Sequence, residues 1–114
     1  MQAEAIREQT ELDALFERSH EGPVYLFKHS LTCPVSRWGW REFQAFVEEQ
    51  PADAGATFAY LEIQRTRDLS KAVAERTGVR HESPQVLKLV DGASVWDASH
   101  GDITVDALRA TATR

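Results

Sequence analysis

Apolar and polar positions change their period several times along the chain, and each change marks an element. Ile6, Leu12, Leu15 and Phe16 recur at helical spacing, with Thr10 the expected N-cap of an opening helix. Glu21-Gly22-Pro23 breaks that pattern. Residues 23–28 are apolar on both faces, as in a buried strand of a parallel sheet. Residues 34–49 return to helical spacing, with Trp40, Phe43, Phe46 and Val47 on one face and Pro34 suited to the first helical position. Gln50-Pro51 ends this helix, and residues 51–56 form a loop. Residues 57–63 alternate and are rich in β-formers, which predicts a second strand. Asp68 is the expected cap of a short helix carrying Leu69, Val73 and Ala74 and closed by Gly78. Residues 85–90 form a third strand, Asp91-Gly92 a hairpin turn, and residues 93–96 an antiparallel return. A last helix over residues 104–111 carries Val105 and Leu108.

The order is α-β-α-β-α-β-β-α. Its β-α-β unit is parallel and right-handed. Followed by a helix and a β-β-α unit, it gives the thioredoxin arrangement. The expected fold class is therefore α/β: a thioredoxin-like fold with a central four-stranded mixed sheet flanked by helices, in one domain over residues 1–114. Composition agrees with this, since 114 residues with 42% hydrophobic and 27% charged content suit one core. The net charge of −5 points away from nucleic acid as a partner. No apolar stretch approaches the roughly 20 residues that span a bilayer, so no membrane association is expected. The first residues lack a signal-peptide apolar region. A single cysteine cannot close an internal disulfide, and together these features predict a reducing, cytoplasmic setting.

That cysteine is Cys33, in the run Leu31-Thr32-Cys33-Pro34-Val35-Ser36. Cys33 to Ser36 is a C-x-x-S pattern, a dithiol motif with its second sulfur replaced by oxygen. The thiol falls where a strand ends and a helix begins. With Pro34 at the first helical position, Cys33 is the N-cap and its sulfur faces free backbone N–H groups. Ser36, one turn on, is a candidate donor to the thiolate, and Lys28 and Arg37 are nearby cations in sequence. Settings of this kind bring a thiol pKa from about 8.5 to roughly 3.5–7.5. The plain alternative is a small buried hydrophobe.

Ser83-Pro84 precedes the third strand, where a thioredoxin-like fold places a cis proline facing the reactive cysteine. There the preceding residue offers backbone groups to a substrate. Outside that fold the pair reads as an ordinary trans turn. Trp38 lies opposite the apolar face of its helix, either exposed near Cys33 or packed on a loop. The four histidines, His20, His29, His81 and His100, have no i,i+4 spacing and no second cysteine, which weighs against zinc. His29 and His100 can approach the thiol, although surface or capping roles are simpler. A Cys–His hydrolase would need partners that only the fold can bring together.

The block Phe27-Lys28-His29-Ser30-Leu31-Thr32-Cys33-Pro34-Val35-Ser36 resembles the active-site block of the monothiol bacilliredoxins, thioredoxin-like proteins of the bacillithiol redox system. Val35 stands where that family typically has isoleucine. Ser83-Pro84-Gln85 resembles its cis-proline segment, and Ala98-Ser99-His100-Gly101-Asp102-Ile103-Thr104 resembles its S-H-x-x-I-T approach to the last helix. The likeness runs from about Leu12 to the C-terminus. It implies a thiol–disulfide oxidoreductase acting on mixed disulfides between client proteins and bacillithiol. Cys33 would attack the bacillithiol sulfur, free the client and carry bacillithiol until a second bacillithiol or a reductase resets it.

On this reading Cys33, Pro34 and Ser36 are catalytic, while Thr32, Lys28, Arg37, Trp38, Ser83 and Pro84 bind substrate. Lys28 or Arg37 is available for the carboxylates of bacillithiol. Bacillithiol is a co-substrate, with no bound cofactor or metal. Bacillithiolated proteins are the partners, and the expected state is a monomer. Ser36 removes the resolving sulfur, and Phe27 stands where dithiol thioredoxins carry a buried carboxylate. Both argue against a general dithiol reductase. Two other classes stay open. One is a non-catalytic redox sensor or adaptor, with Trp38 as a binding residue. The other is an iron–sulfur carrier like the monothiol glutaredoxins, bridging a dimer.

Overall fold

Strand β2 (Val24–His29) lies at the centre of the sheet because both of its faces can be buried. The computed structural model describes residues 1–112; Thr113 and Arg114, the last two of the expected 1–114 domain, lie outside the described residues. The other elements are β1 (Glu4–Ala5), α1 (Gln9–Arg18), α2 (Pro34–Glu49), β3 (Thr57–Glu62), α3 (Arg67–Thr77), β4 (Gln85–Val90), β5 (Ala93–Ser99) and α4 (Val105–Ala112). A 3-10 turn, His100–Asp102, joins β5 to α4. The strand order is β1-β3-β2-β4-β5. β2 runs parallel to β3 and antiparallel to β4, which pairs antiparallel with β5.

The sheet therefore has five strands, not the expected four. The extra strand, β1, is only two residues long and pairs parallel with β3, Glu4 opposite Ala59 and Ala5 opposite Tyr60. Two residues, one charged and one small, are too few to show an alternating pattern. β5 also outruns its expected end at residue 96, because at a sheet edge Asp97 points to solvent while Trp96 and Ala98 face the core.

Side-chain alternation along β2 divides the core in two. Val24 and Leu26 join Leu12, Leu15 and Phe16 of α1 and Leu69 and Val73 of α3. Tyr25 and Phe27 face the other way, joining Phe43, Phe46 and Val47 of α2 and Leu108 of α4. Phe27 has no exposed surface and stacks on Phe43 at a centroid distance of 5.2 Å. Gly39 of α2 faces the core, and a Cβ there would meet Phe27 and Ile103 at an ordinary contact distance of 3.5 Å.

Two helix caps differ from expectation. The N-cap of α1 is Glu8, not Thr10. The Glu11 carboxylate accepts the N–H groups of Glu8 at 3.0 Å and Arg7 at 2.9 Å, so a longer side chain one turn on does the capping. The N-cap of α3 is Thr66, which leaves Asp68 in the first turn, where a negative charge favours the helix dipole. Gly78 closes α3 in the left-handed conformation, φ 73°.

Candidate active site

Residues 30–33 lead from β2 into α2, and three sets of contacts hold them. Ser36 is fully buried, and its Oγ accepts the N–H of Ser30 at 2.9 Å. The same oxygen lies 2.8 Å from His29 Nδ1. Gln64, just past β3, grips the loop from the other side. Its Oε1 accepts the Leu31 N–H at 3.0 Å, and its Nε2 donates to Ser30 Oγ at 2.9 Å and Thr32 Oγ1 at 3.3 Å. These bonds order a loop of small and polar residues that has little apolar surface to hold it.

Cys33 is the N-cap of α2, with φ −98° and ψ 121°, and is half-buried. Pro34 is at the first helical position, and the Cys33 carbonyl accepts the Ser36 N–H at 3.1 Å. The sulfur thus sits at the end of a helix where an anion is favoured, and the thiolate is the nucleophilic form. Around it, Leu31, Val35 and Trp38 are three of the five exposed large hydrophobic residues among those described. Trp38 is 65% exposed, which decides between the two sequence readings in favour of solvent. The Arg41 guanidinium lies 5.3 Å from the Trp38 ring centroid, and Pro34, Arg37, Trp38 and Arg41 line a shallow cavity of about 140 Å³.

The Ser83–Pro84 bond is cis. Gln85 pairs with Lys28, so the sheet register carries Pro84 to the end of β2 from which the cysteine loop departs. The Pro84 carbonyl accepts the His100 N–H at 3.1 Å, and His100 takes a positive φ of 53°. His100 Nε2 lies 3.7 Å from Glu82 Oε2.

One expected role is corrected. Lys28 was expected near the thiol as a cation for substrate carboxylates. It has no exposed surface and faces the α1/α3 side of the sheet, away from α2. Its ammonium donates to the Ser70 carbonyl at 3.0 Å and lies 3.3 Å from His81 Nδ1. Burial pulls its pKa down to about 8. The cause is alternation: residues one apart on a strand point to opposite faces, and Phe27 faces α2. Ser36 was expected to donate to the sulfur; its oxygen is also engaged by His29 and Ser30.

Sequence reasoning weighed His29 as able to approach the thiol but favoured a surface or capping role, and it passed over Gln64. His29 is the last residue of β2, stacks on Trp40 at 5.3 Å and pairs in register with Glu62. Desolvation holds its pKa below the ordinary value, and the Glu62 carboxylate opposes that shift. Strand periodicity could have placed His29 on the α2 face beside Ser36. Nothing local could have found Gln64, which lies more than 30 residues from its partners.

Among the described residues, no group of three or more His, Cys, Asp or Glu side chains is placed to hold a metal ion. No helix of the described residues is long and apolar enough to cross a membrane.

A parallel β-α-β core, a cis proline beside the cysteine loop and a cysteine capping a long helix together define a redox thiol protein of thioredoxin fold. The chain belongs to the monothiol bacilliredoxin BrxC family, whose model matches residues 4–108. It is similar to a solved structure described as that of a candidate oxidoreductase with a thioredoxin fold, at 36% identity and a TM-score of 0.84, covering 98% of this chain and 94% of that one. Thioredoxin from Malassezia sympodialis is similar in fold, at 14% identity and a TM-score of 0.76, covering 97% and 88% of the two chains. Thioredoxin f from spinach chloroplast is also similar, at 17% identity and a TM-score of 0.73, covering 98% and 91%.

Proposed function

We propose that this protein is a monothiol oxidoreductase that removes bacillithiol from mixed disulfides on client proteins. The observation that carries this is the lone, half-buried Cys33 at the N-terminus of α2, with an oxygen at position 36 that is tied into the loop. Such a thiol can accept a small thiol but cannot expel it from within its own motif.

The Cys33 thiolate attacks the bacillithiol sulfur of the mixed disulfide. The old S–S bond breaks, the client leaves as a thiolate, and Cys33 holds bacillithiol. A second bacillithiol thiolate then attacks that bound sulfur, forming bacillithiol disulfide and releasing Cys33. The two electrons come from the two bacillithiol molecules. Arg37, with Arg41 beside it, meets the carboxylates of bacillithiol. Trp38 and Thr32 flank the approach, and the backbone at Ser83-Pro84 aligns the client chain. The protein works as a single-domain cytoplasmic monomer with no resident cofactor.

Intact mass after separate incubation with bacillithiol disulfide, glutathione disulfide and cystine tests the partner. The expected result is a bacillithiol adduct on Cys33 that forms faster than the other two. Equal or faster glutathione labelling would overturn the assignment of bacillithiol.

The exposed group Leu31, Val35 and Trp38 supports one other reading, an adaptor whose partner binding changes when Cys33 is modified. The number of client molecules released per protein molecule separates the two.

A further inference from the structure

Two hydrogen-bonding partners meet on the buried hydroxyl of Ser36. A serine hydroxyl has two lone pairs and one proton. The Ser30 N–H fills one lone pair. His29 Nδ1, at 2.8 Å, either takes the proton or fills the second lone pair, depending on which ring nitrogen carries hydrogen. In the first case a lone pair is left over; in the second, the proton is.

The group able to use that leftover proton is the Cys33 sulfur. Positions 33 and 36 have the spacing that a C-x-x-C disulfide joins, across a Cβ···Cβ distance of about 3.5–4.5 Å. With Ser36 Oγ held by Ser30 and His29, only its O–H bond is free to turn toward the sulfur. When Cys33 is ionised, its negative charge selects the arrangement that turns the serine proton toward it.

We propose that His29 is a positioning residue for the Cys33 thiolate, acting through Ser36: it donates Nδ1–H to Ser36 Oγ and so leaves the serine proton for the sulfur. This rests on the reading of Cys33 as the nucleophile. His29 is suited to the task because its ring is clamped between Trp40, stacked at 5.3 Å, and Phe27, at 5.9 Å. The charged group facing it from β3 is Glu62, which lies 3.7 Å from Arg65. α2 meets it with Ser36 and Trp40. Desolvation holds the imidazole's pKa below its ordinary value and so favours the neutral ring, which has one N–H to place and makes the choice of tautomer matter. Phe27 supplies no ionisable group on this face of β2, so the His29–Ser36 pair supplies the polar support for the thiol.

The test is the rate of iodoacetamide alkylation of the reduced, full-length protein at pH 6.5. One hydrogen bond to a charged group changes the thiolate fraction by about 10- to 100-fold. Roughly half of that, on a logarithmic scale, is returned as higher nucleophilicity of the more basic thiolate. The expected loss is therefore about three- to tenfold for His29→Phe, which keeps an aromatic ring in the stack. Ser36→Ala should lose a similar amount, and adding His29→Phe to Ser36→Ala should change nothing further. His29→Asn, whose amide N–H reaches the same oxygen, should alkylate within about twofold of wild type. Should His29→Phe fail to fold, His29→Leu carries the same expectation.

An unchanged rate in His29→Phe overturns the proposal. So does an equal slowing in the Ser36→Ala background, which would mean lost packing, and so does failure of His29→Asn to restore the rate. No bacillithiol is used, so this result stands apart from the proposed function: loss of the bacillithiol adduct would sink that reading and leave the His29–Ser36 coupling in place.

Discussion

Replacing Lys28 with methionine is expected to stabilise the fold at neutral pH. Lys28 has no exposed surface, and its ammonium is held by the Ser70 carbonyl and His81. Burial lowers its pKa from the ordinary 10.5 to about 8. Below pH 8 both the folded and the unfolded chain are protonated, and the folded state bears the full cost of the buried charge. At about 1.36 kcal/mol per pH unit, that cost is about 3 kcal/mol. Between pH 8 and 10.5 the unfolded chain binds a proton that the folded chain does not, so stability rises with pH across this window. Methionine has a similar length and no charge, and it adapts to irregular packing. Losing the hydrogen bonds of the amine offsets part of the gain, by about 1 kcal/mol. The net expectation is about 1–3 kcal/mol in favour of Lys28→Met at pH 7, shrinking to nothing or reversing by about pH 10.5. Urea denaturation followed by tryptophan fluorescence at pH 7 and pH 10 reads this difference, and comparing the two variants cancels other titrations. A variant less stable than wild type at pH 7, or an equal gain at both pH values, would refute the reasoning.

Two further substitutions probe the frame of the site. Gly39→Ala should stabilise by about 0.5–1 kcal/mol, because glycine inside a helix costs about that much and the new Cβ meets Phe27 and Ile103 at ordinary contact distance, 3.5 Å; destabilisation in a urea titration would show that α2 needs a closer approach. Gln64→Ala removes the acceptor of the Leu31 N–H and two donors to the loop, so hydrogen exchange at the Leu31 amide should speed up by about tenfold while the sheet amides keep their protection; unchanged exchange at Leu31 would show that the loop is held by other means.

The parts of the fold legible in the sequence are those encoded by neighbours. The doubly apolar run in β2, the proline that opens α2, the Asp91-Gly92 turn and Gly78 each carry their own local signal, and together they led to the thioredoxin arrangement. Cys33 at the helix N-terminus followed from the same logic. β1 was not legible because it is a two-residue edge whose register depends on its partner, with Ile6 donating to the Tyr60 carbonyl at 2.9 Å. Lys28 was misread through nearness in sequence: five residues from Cys33, it lies on the other face of the sheet, and strict alternation from Phe27 would have shown this. The motif alone linked Ser36 to the sulfur and could not show what holds its oxygen. The groups that hold it, His29 and Ser30, belong to the preceding strand and loop, and Gln64 comes from beyond the next strand. The placement of Cys33 was readable from one segment, and its support was not, because support is assembled across the sheet.

Cys33 is proposed to turn over. The most direct measurement is the release of a client protein from its bacillithiol mixed disulfide, followed by mass spectrometry with excess bacillithiol and a small amount of this protein. The expected result is many client molecules freed per protein molecule, a transient bacillithiol adduct on Cys33, and no release with Cys33→Ser. Release that stops at one client per protein molecule while bacillithiol remains, or that continues with Cys33→Ser, would contradict it.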